Sequence, residues 1–134
     1  MKENEVKVAI RLSGFDIKPD LISKKTGLIP SEFKIKGDII KRPRKDIVVN
    51  YNYWNLESNI KKGTTLEECV EDLLNKLNSH EEFFNNLINK CEGELGIVIN
   101  TYGDANPGIH LNKKILKELV HFGLELDIDI YNIE

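Results

Sequence analysis

The sequence predicts an α+β domain, an antiparallel sheet with its helices gathered on one face. Three observations carry that reading. Both ends of the chain alternate apolar and polar residues with the period of a half-buried strand: Val6, Val8, Ile10 and Leu12 near the start, Leu126, Ile128 and Ile130 near the end. Between them, apolar residues recur at helical spacing, most clearly Leu66, Cys69, Val70, Leu73, Leu74 and Leu77. The chain has 134 residues, 40% of them apolar, enough for one hydrophobic core and one domain over residues 1–134.

The elements follow in order. A strand over 5–12 is broken by Gly14 and Asp16. Pro19 suits the first turn of a short helix that ends at Gly27, and Pro30 stops any continuation. Phe33 and Ile35 suggest a short strand before a turn at Gly37-Asp38. Residues 46–56 alternate again and read as one strand, with Ile47, Val49, Tyr51 and Tyr53 on one side. After Gly63, Thr65 and Glu68 fit a capping box at the start of a helix. A second helix over about 80–91 presents Phe83, Phe84, Leu87, Ile88 and Cys91, and the short break at Asn78-Ser79 makes the pair a helical hairpin.

Leu95, Ile97, Ile99 and Thr101 read as a strand, and Gly103-Asp104-Ala105-Asn106-Pro107-Gly108 as a turn-rich loop. Past Ile109-His110-Leu111, Asn112 caps a helix that runs to Gly123, and the last strand follows. The order is βα, ββ, αα, ββ, αβ. An echo between the halves, strand, loop, short helix and then Gly-Leu, suggests a ferredoxin-like arrangement with an inserted helical hairpin. In that arrangement the first and last strands are antiparallel neighbours, and Lys7 and Arg11 face Asp127 and Asp129 across the outer side.

Composition excludes several classes. With 19 basic and 22 acidic residues the net charge is about −3, so the chain as a whole is neither a basic nucleic-acid binder nor a polyanion. No apolar run approaches the length of a membrane span, and the charged start shows no secretion signal. Cys69 and Cys91 make no disulfide framework, which points to the cytoplasm with reduced thiols. Both fall on apolar helix faces, where cysteine acts as a small hydrophobe; a redox pair at one end of the hairpin is the competing reading.

No catalytic set is legible. His80, His110 and His121 lack metal-binding spacing, there is no nucleophile elbow, and no phosphate-binding glycine pattern occurs. Glu125, Asp127 and Asp129 line one side of the last strand, which reads as a solvent face more simply than as a cation site. No metal or cofactor is expected.

The most suggestive feature is a basic arm. Lys34, Lys36, Lys41, Arg42, Arg44 and Lys45 crowd into twelve positions of an otherwise acidic chain. Arginine grips carboxylates and phosphates through two parallel hydrogen bonds. Asn50, Tyr51, Asn52, Tyr53 and Trp54 follow directly. Together, Arg42, Arg44, Asn50, Tyr51, Asn52 and Trp54 form a candidate binding surface for a partner protein, where Trp, Tyr and Arg dominate, or for an anionic or nucleotide-derived small molecule. The competing reading is a solvated loop followed by a core tryptophan.

Four segments together resemble a known family. Thr26-Gly-Leu-Ile-Pro, Lys36-Gly-Asp38, Tyr53-Trp-Asn-Leu-Glu-Ser58 and Phe122-Gly-Leu-Glu-Leu-Asp-Ile-Asp-Ile-Tyr131 are similar, in this order, to the bacterial family catalogued as domain of unknown function 4279. The resemblance spans nearly the whole chain. It implies a small cytosolic protein of bacteria or their phages, and it transfers no catalytic residues. Some members stand in settings that suggest immunity to toxins. The expectation is a non-enzymatic binding protein of immunity or inhibitor type. The alternative is a small-ligand binder. Nucleic acid and membrane are not expected partners, and a homodimer stays open.

Overall fold

The computed structural model describes residues 3–58, 64–103 and 106–133. Met1-Lys2, Gly63 and Asp104-Ala105, named above for the chain start, a helix entry and a turn, lie outside the described residues.

The elements are β1 (Glu5–Ser13), α1 (Pro19–Thr26), β2 (Glu32–Lys34), β3 (Ile39–Ile40), β4 (Ile47–Val48), β5 (Tyr53–Glu57), α2 (Leu66–Asn78), α3 (Glu81–Ile88), β6 (Glu92–Thr101), α4 (Lys113–Phe122) and β7 (Glu125–Asn132). The α+β class stands. Five strands form one sheet in the order β2-β5-β1-β6-β7, and β3 and β4 form a separate two-stranded sheet.

Helix ends follow local chemistry. Thr65 and Glu68 close the expected capping box on α2. The Asn112 side chain accepts from the Ile115 N–H at the start of α4. Gly27 and Gly123 end α1 and α4 in the left-handed conformation, at φ 74° and 73°, so the Gly-Leu echo records two helix ends of one kind.

All four helices pack on one face of the sheet, and a single core joins them to it. Val8, Ile10, Leu12, Trp54, Leu56, Leu95, Ile97 and Ile99 point from the strands into Ile22, Val70, Leu73, Leu74, Leu77, Phe84, Ile88, Ile115, Leu119 and Phe122. Burying each such large side chain contributes roughly 1.5–3 kcal/mol.

Four expectations change. First, the sheet is mixed: β6 and β7 are parallel, joined through α4, while the other pairs are antiparallel. Second, β6 lies between β1 and β7, so the first and last strands are not neighbours and the ferredoxin-like order is not formed. Ile128 packs against the core, but Leu126 and Ile130 on the outermost strand stay exposed. Third, residues 46–56 are not one strand. The chain leaves the arm after β4 and rejoins the main sheet only at Tyr53. The cause is Asn52, whose side chain takes the place of ladder bonds: Oδ1 accepts from the Lys36 N–H, and Nδ2 donates to the Phe15 and Ile17 carbonyls. Fourth, residues 109–111 join no strand, so one strand and not two separates α3 from α4.

Candidate binding surface

Because the helices occupy one face, the other face of the sheet is open. Arg11 lies at its centre on β1, in register with Asn55 on β5 and Glu94 on β6. Its guanidinium donates to Glu94 Oε1 at 3.1 Å and lies 3.7 Å from Asp127 Oδ2. Asp127 is on β7, one strand further out, opposite Gly96. A Cβ at Gly96 would stand 2.5 Å from Arg11 Cζ, so the glycine is what lets the arginine lie across β6. Of the charge match expected between Lys7 and Arg11 on the first strand and Asp127 and Asp129 on the last, only Arg11 with Asp127 is made among the described residues, and it is made over an intervening strand.

Beside this cluster is a concavity of about 370 Å³, lined by Arg11, Ser13, Tyr51, Tyr53, Glu92, Gly93, Glu94 and Glu125. Its field is acidic. Arg11 is committed to Glu94 and Asp127, and Glu92 and Glu125 make no ion pair with any described residue. The Tyr53 hydroxyl is raised above its ordinary pKa, chiefly by burial and then by Glu32, with Glu94 adding and Arg11 opposing. The Lys34 ammonium sits 5.5 Å from the Tyr53 ring centre. Asn55 Oδ1 is buried on β5 with no hydrogen-bond partner among the described residues.

Beyond Lys34, the basic arm is built on a sheet of its own, β3 with β4. β3 and β4 pair Ile39 with Val48 and Ile40 with Ile47, and backbone bonds from Gly37 to Val49 and from Val49 to Asp38 extend the hairpin toward its root. Lys41 Nζ bonds Asp46 at 2.9 Å and closes the tip. Arg42 and Arg44, on either side of Pro43, are exposed and pair with no described residue. Ile39, Ile47 and Val48 are also exposed, unusual for a strand pair with so little chain to cover it.

The six candidate binding residues divide between this surface and the interior. Arg42 and Arg44 are at the tip, and Asn50 and Tyr51 are exposed near the root. With Lys36, Asp16 and Asn52 these last two line a small hollow of about 180 Å³. Asn52 is buried and serves as the clamp already described. Trp54 is 0% exposed, its ring 6.0 Å from that of Phe84 and its Nε1 3.5 Å from Ser23 Oγ. The sequence left open whether Trp54 lines a surface or a core, and it is in the core. Sequence reasoning did not bring Glu92, Glu94 and Tyr53 to Arg11. The strand register that gathers them depends on β6 sitting next to β1, which alternation alone does not specify.

Both thiols are free. Burial pushes Cys91 up to about 11, and Cys69 is raised by burial as well, so neither is an activated nucleophile. No group of three metal-ligating side chains occurs among the described residues, and no described helix is long and apolar enough to cross a membrane.

The fold and surface define a small α+β protein that displays a basic hairpin at one side of a mixed sheet and an acidic open face. The chain belongs to the DUF4279 family, described as a domain of unknown function, whose model matches residues 4–133. No curated protein and no solved structure matches it.

Proposed function

We propose that this chain is a non-enzymatic binding protein of the inhibitor or immunity type, and that it recognises an acidic surface on a partner protein through the β3–β4 arm. One observation carries the reading: the arm combines two arginines at its tip that pair with no described residue with exposed Ile39, Ile47 and Val48 along its sides. Paired charge and apolar area on a protruding element is the chemistry of a protein interface. Arg42 and Arg44 border neither of the hollows described above, which favours a protein surface over an enclosed small molecule. The larger hollow beside Arg11 is bordered by uncommitted carboxylates and is a poor home for an anion. The small-ligand alternative would use Tyr51, which borders the small hollow with Lys36 and Asn50 and a wider one of about 680 Å³ with Lys90 and Glu92, and neither of these is lined by Arg42 or Arg44.

The experiment is affinity capture from the native host with the wild-type chain and with an Arg42→Ala/Arg44→Ala variant. An acidic protein retained by the first and lost by the second supports the proposal. An identical set of captured proteins overturns it.

A further inference from the structure

A second surface lies at the far edge of the sheet from the arm. β7 is an edge strand of eight residues, with β6 on one side and, among the described residues, no strand on the other. The opposite edge, β2, has only three. A long unpaired edge offers a row of backbone donors and acceptors to another strand, and proteins that do not use such an edge keep it short or block it.

The side chains flanking the edge differ in character. Toward the helices, Leu126 and Ile130 are exposed, and α4 adds Leu116 and Val120, the latter 80% exposed. The placement of that pair follows from the other flank of α4, where Glu118 meets Asn78 of α2, and His121 meets Glu81 and Asn85 of α3. Leu116 and Val120 fall on the flank turned away from α2 and α3, the side of β7. On the open face the same strand carries Glu125, Asp127 and Asp129.

We propose that the outer edge of β7 is a docking site for an extended segment of another protein, one that alternates apolar and basic side chains. Its backbone would extend the sheet as a sixth strand. Its apolar side chains would cover Leu126, Ile130 and the Leu116–Val120 flank. Its lysines or arginines would stand opposite Glu125 and Asp129, the carboxylates of this strand that Arg11 leaves uncommitted. A second copy of this chain fits worse in the symmetric register that overlaps the two strands most fully. A two-fold antiparallel pairing of β7 with itself, centred on Ile128, sets Asp127 opposite Asp129 twice, and like charges directly opposite destabilise a strand pair.

The test uses the whole chain and three synthetic peptides: one of alternating lysine and valine, one of alternating glutamate and valine, and the lysine peptide N-methylated at every second residue to remove ladder donors. Anisotropy titration at low salt reports affinity, and amide hydrogen exchange reports location. The lysine peptide is expected to bind about tenfold tighter than the glutamate peptide, the combined effect of cross-strand charge at Glu125 and Asp129. It should protect amides of β7, and N-methylation should abolish binding. Glu125→Lys/Asp129→Lys, which breaks no ion pair of the fold, should reverse the preference between the two charged peptides. Equal binding of both peptides, unchanged binding after N-methylation, protection at β2, or self-association of the chain through β7 overturns the proposal.

Discussion

Arg11 on β1 and Asp127 on β7 lie 3.7 Å apart although β6 runs between their strands. The contact exists because Gly96 leaves the space above β6 empty. Gly96→Ala should therefore displace Arg11 while improving the strand backbone. The ion pairs are partly exposed and contribute at most about 1 kcal/mol, and removing a strand glycine returns a similar amount, about 0.4–1 kcal/mol. Net stability should change by less than about 1 kcal/mol, while its dependence on salt should weaken. Denaturant melts at low and high salt check both; a large loss at either salt would show that the added Cβ disrupts more than Arg11.

Asn52 ties the root of the arm to the loop after β1 through three hydrogen bonds to backbone groups. Asn52→Ala leaves the buried Phe15 carbonyl without this partner, at a cost of about 1–3 kcal/mol, and the partly buried Lys36 N–H and Ile17 carbonyl open to water. The expected result is a destabilised chain whose amides near Lys36 and Val49 exchange faster than in the wild type. Unchanged exchange in the arm would mean that β3 and β4 hold themselves in place.

Leu73 and Trp54 are both fully buried between the helices and the sheet. Leu73→Ala should cost roughly 2–5 kcal/mol and Trp54→Ala roughly 3–5 kcal/mol. Val120→Ala, at an exposed position of α4, should stay within about 0.5 kcal/mol. The three melts together check the face of the sheet on which the core is placed.

Cys91 supplies a pH dependence. Its thiol is raised by burial from 9.0 to about 11 in the folded chain. The unfolded chain releases that proton first as pH rises, so the folded state binds more protons between the two values and stability falls with pH across that window. The contribution is fully present below the unfolded value. Cys91→Ala should flatten the decline between about pH 9 and 11, a range set by the same two values. At neutral pH, alkylation of Cys91 in the folded protein should be roughly a hundredfold slower than that of an ordinary thiol, in proportion to its thiolate fraction. Rapid alkylation under native conditions would contradict the burial.

Much of this architecture is local and was legible as such. Alternation in 5–12 and 126–130, the Thr65–Glu68 box and the Asn112 cap each act within a few residues, so they survive as patterns in the chain. Strand order is not local. The apolar rows of β1 and β7 look alike whether the strands touch or are separated by β6, and only β6's own register decides between them. The break within 46–56 was hidden for a related reason: Asn50, Tyr51 and Asn52 alternate like a strand, but the bonds that Asn52 makes to Phe15 and Ile17 reach 37 and 35 residues back along the chain. The candidate surface was half legible. Charge density marked Arg42 and Arg44, whereas burial moved Asn52 and Trp54 into structural roles that composition does not reveal.

The role proposed for the β3–β4 arm is binding and not folding. The most direct measurement sets a denaturant melt of Arg42→Ala/Arg44→Ala beside its affinity for the captured partner. The arginines are exposed and unpaired, so stability should move by less than about 1 kcal/mol. Affinity should fall by about 1.5–3 kcal/mol for each charged hydrogen bond removed. Unchanged affinity with unchanged stability would contradict the account and leave the arm a solvated loop.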